Sequence, residues 1–150
     1  MLNWQGDINI KALDKDGKLV QEDNLKNLIT SAGKNLLAES LRNSSLDTEI
    51  KFISLGSDNT APSSGDTTLG NETFRKAVTS QTAGGSVGIT ITNLYVAPEE
   101  AVGTIEEIGF HSGSSASATK DSGVLFARVL YSRTKTAVES IQIERTDTIG

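Results

Sequence analysis

The chain contains no cysteine, which excludes a disulfide framework, a thiolate metal site and a thiol nucleophile. It has a single histidine, His111, so a Ser-His-Asp or two-His metal arrangement within one subunit is expected to be excluded or incomplete. Aromatic residues make up only 5% of the 150 positions, so any core must be built from Ile, Leu and Val with four Phe. No run of Lys or Arg could neutralise a row of phosphates and the net charge is -5, so nucleic acid is not an expected partner. No segment approaches the ~20 apolar residues needed to cross a bilayer, and the start, MLNWQGDINIKALDK, lacks the basic and apolar parts of a signal peptide. A protein made and used in water is the expectation, with no membrane partner and no cofactor.

What is present reads mostly as β structure. From Trp4 the positions Trp4, Gly6, Ile8, Ile10 and Ala12 alternate with Gln5, Asp7, Asn9 and Lys11, the period of a half-buried strand. Asp14-Lys15-Asp16-Gly17 supplies turn residues and Lys18-Leu19-Val20-Gln21 returns, so residues 4–22 read as a hairpin that could act as an assembly arm. Leu25, Leu28, Ile29, Ala32, Leu36, Leu37 and Leu41 fall at helical spacing, with Thr30 or Ser31 as cap and Asn43-Ser44-Ser45 as stop, which predicts one helix over about 31–42. Residues 49–55, 73–80, 86–96, 104–111, 124–132 and 138–149 are further strand candidates, rich in β-branched residues and separated by Gly, Ser or Pro. Eight strands and one helix predict a single mainly β domain over 1–150, an antiparallel sandwich or barrel.

Few residues point to chemistry. Asp14, Asp16 and Gly17 have the look of a Ca²⁺ loop, but aligning Gly17 with the obligatory glycine puts Ala12 where the first carboxylate belongs, and a hairpin turn explains them better. A metal-assisted hydrolase using Asp14, Asp16 and Glu22 is the enzymatic alternative. Glu99-Glu100 and Glu106-Glu107 are adjacent carboxylates that a strand would send to opposite faces, so neither is an expected shared-proton dyad. Gly84-Gly85-Ser86-Val87-Gly88 lacks the Lys-Ser/Thr pair of a phosphate loop and precedes a strand. No catalytic residue, metal ligand or cofactor is therefore expected.

Three stretches, taken in order, carry a resemblance. Asn24-Leu25-Lys26-Asn27-Leu28-Ile29-Thr30-Ser31-Ala32-Gly33 with Leu36-Leu37 is the first, and Leu55-Gly56 through Ala61-Pro62, Asp66-Thr67, Leu69 and Glu72 to Arg75 is the second. Ile105-Glu106-Glu107-Ile108-Gly109-Phe110 followed by Leu125-Phe126-Ala127-Arg128 and Thr134-Lys135-Thr136 completes the set. Over about residues 20–149 this order resembles small virion proteins of tailed bacteriophages, including tail-fibre and baseplate modules, with their L-G-x-x-x-x-A-P, E-x-G-F and L-F-A-R motifs. The resemblance implies a structural component of a phage particle, made in the bacterial cytoplasm and located in the virion. It brings no catalytic residue.

On that reading the chain is expected to be a tail, baseplate or fibre-associated adaptor; capsid decoration and a carbohydrate- or host-surface-binding module are the alternatives. Its partners would be other virion proteins and copies of itself, a trimer being the first expectation. Leu2 and Trp4 at the chain start, Asn59 and Pro62 in the loop 57–66, and Ser114 and Ser115 in the loop 112–122 are the interface candidates. Glu72, Arg75, Glu106 and Arg128 are the expected structural ion-pair residues.

Overall fold

The computed structural model describes residues 3–150. Leu2 therefore lies outside the described residues. Ten strands and one helix follow in chain order: β1 Trp4–Leu13, β2 Leu19–Lys26, β3 Leu28–Ile29, α1 Ser31–Ser40, β4 Phe52–Gly56, β5 Glu72–Ala77, β6 Ser80–Ala83, β7 Ile89–Val96, β8 Gly103–Ser112, β9 Val124–Lys135 and β10 Ser140–Ile149. The fold is mainly β and antiparallel with one short helix, as the alternation predicts, and its strands form two open five-stranded sheets instead of a closed barrel. The residues group into two compact units, each carrying one sheet.

The first unit comprises residues 1–27, 78–103 and 134–150 and holds the sheet β2-β1-β10-β7-β6. Its core is the alternation read from the sequence: Ile8, Ile10 and Ala12 of β1 are buried beside Ile141 and Ile143 of β10 and Leu94 and Val96 of β7. The register places Ile10 opposite Ile143, and Ile143 opposite Leu94. The hairpin expected as an assembly arm is built into this sheet, because β1 pairs with β2 on one side and along ten residues with β10 on the other. Its turn is set by Asp14, whose Oδ1 accepts the backbone N–H of Asp16 and of Lys18, each at 2.9 Å.

The second unit comprises residues 28–77 and 104–133, with the sheet β3-β9-β8-β4-β5 and the helix. The helix starts where the sequence places its cap: the Thr30 hydroxyl accepts the N–H of Gly33 at 2.9 Å. The same hydroxyl donates to the carbonyl of Leu125 at 2.5 Å, fixing the helix start to β9. Gly33 is required there, since a Cβ would collide with the Phe126 backbone. Two polar loops, 57–71 and 113–123, emerge from this sheet and carry most of the residues singled out from the sequence.

Candidate functional site

The centre of the second unit is a carboxylate. Glu107 on β8 is fully buried, with zero exposure. Its Oε1 accepts the N–H of Asn71 at 2.8 Å and of Asp58 at 3.2 Å, and its Oε2 accepts the N–H of Gly70 at 3.0 Å. The Nε of Arg128, on β9, donates to the same Oε2 at 2.8 Å. Both ends of the 57–71 loop are thus tied to one side chain. The close approach explains two glycines, because a Cβ at Gly56 would meet the Glu107 carboxylate and a Cβ at Gly70 would meet that of Asp58.

Arg128 also holds the middle of the loop. Its Nη1 donates to Asp66 Oδ2 at 3.3 Å, and its Nη2 lies 3.9 Å from Asp58 Oδ1. Each aspartate in turn orders its own stretch of backbone: Asp58 accepts the N–H of Thr60 at 2.6 Å, and Asp66 that of Ser63 at 2.9 Å. The bonds from Thr60, with a smaller contribution from the Arg128 charge, hold the Asp58 carboxyl below the usual carboxylate range.

A second cluster secures the other loop. Glu72 and Arg75, both on β5, form a two-point pair with Nε–Oε2 and Nη2–Oε1 distances of 3.0 and 2.8 Å. Arg75 Nη1 donates to the carbonyls of Ser117 and Ser122 at 3.0 and 2.9 Å, so one guanidinium grips two points of the 113–123 loop. The ring of Phe52 lies 5.9 Å from the guanidinium carbon, and Nη2 lies 3.4 Å from both ring nitrogens of His111.

His111 Nε2 is 2.6 Å from the Ser54 hydroxyl and 3.8 Å from Glu72 Oε1. A serine, a histidine and a glutamate do meet here, where the sequence predicts a Ser-His-Asp arrangement to be excluded or incomplete. Their geometry is that of a structural cluster. A catalytic dyad is oriented by an acid on the far ring nitrogen, whereas here serine and carboxylate face the same nitrogen. Ser54 is wholly buried, and burial with the neighbouring Arg75 charge pushes the His111 pKa down to about 3.

The structure brings together two of the four expected ion-pair residues directly, Glu72 and Arg75. Arg128 pairs with Glu107 instead of Glu106, a correction set by strand alternation: Glu107 turns inward while Glu106 points outward and accepts the Ser132 hydroxyl at 3.2 Å. Asn59, Ser114 and Ser115 are exposed at their loops, and Pro62 is half-buried. Trp4 belongs to the other unit, half-buried, with its indole N–H on Asp147 Oδ1 at 3.0 Å. Asp147 in turn pairs with the fully buried Arg145 at 2.6 and 2.7 Å. The trio of the hydrolase alternative is not assembled: Asp14 is occupied by its turn, and Glu22 accepts the Asn9 amide at 2.9 Å.

Glu107, Asp58 and Asp66 are the residues that sequence reasoning missed in these roles. Ile105 and Ile108 stand at positions of opposite parity, so alternation alone does not say which of the two glutamates between them faces inward. Comparison with protein-family models, with curated proteins and with solved structures gives no match.

Proposed function

We propose that this chain is a structural protein of a tailed-bacteriophage particle, an adaptor of the tail or baseplate that works by binding other protein chains through its loops. One observation carries the reading. The residues of the stretches that resemble phage virion proteins converge on one construction in the second unit: Thr30 and Gly33 on the β9 backbone, Gly56, Asp66, Glu72 and Arg75 in and beside the 57–71 loop, and Glu107 and Arg128 beneath it. A pattern spread over about a hundred positions that jointly shapes one pair of loops is a recipe for a specific surface, which supports the resemblance more strongly than any one motif.

The chemistry of that surface fits repeated docking. Its loops are polar and fixed from below by charged hydrogen bonds, so little conformational entropy remains to be lost when a partner is bound. Immunogold electron microscopy of purified particles from a producing strain tests the reading. Label at the tail tip or baseplate is the expected result. Label over the capsid would replace it with capsid decoration, and particles free of the chain would refute it.

A further inference from the structure

The two sheets end in four edge strands, β2, β6, β3 and β5, and an exposed edge is a row of unpaired N–H and C=O groups open to another strand. Three of them are protected. β2 carries Glu22, Asp23 and Lys26, β5 carries Glu72, Arg75 and Lys76, and β3 is two residues long. β6 has no such device: Ser80, Gln81, Thr82 and Ala83 are all exposed, and none is charged or a proline. They lie within residues 77–98, which hold no charged side chain at all, in a chain that is 22% charged.

The hydrogen-bond phase of β6 can be read from its partner. Its register with β7 places Ser80 opposite Asn93 and Thr82 opposite Ile91, and beyond the strand Gly84 N–H donates to the Ile89 carbonyl at 2.9 Å. Antiparallel pairs alternate between bonded and non-bonded. Ser80 and Thr82 therefore address β7, and the N–H and C=O groups of Gln81 and Ala83 face outward.

We propose that the β6 edge pairs antiparallel with β6 of a second copy about a two-fold axis, with Gln81 opposite Ala83 and Thr82 opposite its own counterpart. This register matches every outward donor with an outward acceptor and joins two sheets of five strands into one of ten. Charge decides between the edges. Antiparallel self-pairing of β2 centred on Glu22 or on Asp23 would set that carboxylate against its own counterpart, and like charges directly opposed are unfavourable, whereas β6 meets only Ser, Gln, Thr and Ala in any register. The contact makes a two-fold dimer, not the three-fold ring expected from the sequence, and it does not depend on the phage reading.

The absence of cysteine makes the test direct. In a non-bonded antiparallel pair the Cα atoms stand about 4.5 Å apart, inside the range of a disulfide. Thr82→Cys is expected to oxidise to a covalent dimer in high yield, while the control Glu22→Cys on the β2 edge remains largely monomeric. Gln81→Pro removes an outward N–H and keeps the backbone bonds to β7, losing only the side-chain bond from Gln81 Nε2 to Thr92, for which Gln81→Ala is the control. Relative to that control it is expected to raise the dimer dissociation constant by at least about tenfold in sedimentation equilibrium, with an unchanged circular dichroism spectrum. A wild-type chain that stays monomeric up to millimolar concentration, equal cross-linking at both cysteines, or a dimer indifferent to Gln81→Pro would each overturn the proposal.

Discussion

Along β1 the buried residues Gly6, Ile8, Ile10 and Ala12 alternate with half-exposed ones, whereas on β8 every residue from Glu107 to Ser112 is buried. The difference separates two ways of using a sheet. In the first unit one side of the sheet stays polar and its strands bury alternate aliphatic residues, while its buried charges include Arg145, paired with Asp147, and Lys135, which donates to the Pro98 carbonyl at 2.7 Å. In the second unit β8 is covered on both sides. A buried charged or imidazole group on β8 must then find its partners inside the protein, although the Ser112 hydroxyl finds none among the described residues. Glu107 finds three backbone N–H groups and a guanidinium, and His111 finds Ser54 and Arg75. Buried ion pairs of this kind are weak sources of net stability, but removing one partner is costly. What they add here is geometry, since each pair ends on a loop.

The comparison is broken most severely at Glu107. Glu107→Ala leaves the Arg128 charge and three loop N–H groups without their partner, and is expected to cost ~3–5 kcal/mol in urea unfolding. It should also expose the 57–71 loop to proteolysis. A loss below about 1 kcal/mol would mean that the network is not what orders the loop.

Acid provides the next test. The folded-state pKa of His111 is pushed down to about 3 from an ordinary 6.5, so below pH 6.5 the unfolded chain takes up a proton that the folded chain refuses. The stability due to neutral His111 is complete above pH 6.5 and is lost as the pH falls toward 3, at a rate approaching ~1.4 kcal/mol per pH unit. Between pH 6.5 and 5 most carboxylates remain ionised, so His111→Gln should flatten the slope measured there. The first unit contains no histidine, and hydrogen exchange should show its sheet nearly indifferent over that window. Equal acid sensitivity of both units would contradict the assignment.

The smallest effect is expected at Trp4. Trp4→Phe keeps the ring and loses the bond to Asp147, so a cost of ~1 kcal/mol in unfolding is expected. If instead its unfolding were unchanged and its self-association fell, Trp4 would serve the interface that the sequence suggested and not its own sheet.

Much of the architecture was legible because it depends on local rules. Thr30 and the apolar spacing after it predict a helix over 31–42, and the helix occupies Ser31–Ser40. Leu25, Leu28 and Ile29 fit that same spacing, but Leu25 pairs with β1 and Leu28 and Ile29 with β9, because the helix begins only at its cap. β6 escaped notice for a different reason. Ser80-Gln81-Thr82-Ala83 has no buried face, so it leaves no hydrophobic period to read and is a strand only through its bonds to β7. The loop at 57–66 offered no core pattern, and its order comes from its own Asp58 and Asp66 together with Glu107 and Arg128, which are distant in sequence. Glu72 and Arg75 were within reach as near neighbours on one strand. Glu107 and Asp66, with Arg128 between them, were not, since nothing local links positions 66, 107 and 128.

One buried carboxylate, that of Glu107, fixes the 57–71 loop as a rigid surface. Native-state hydrogen exchange at the amides of Asp58, Gly70 and Asn71 tests it most directly. All three are predicted to be as protected as the amides of β8, despite lying in a loop, and to lose that protection together in Glu107→Ala. Exchange of these amides in the wild-type protein at the rate of an open loop would contradict the account.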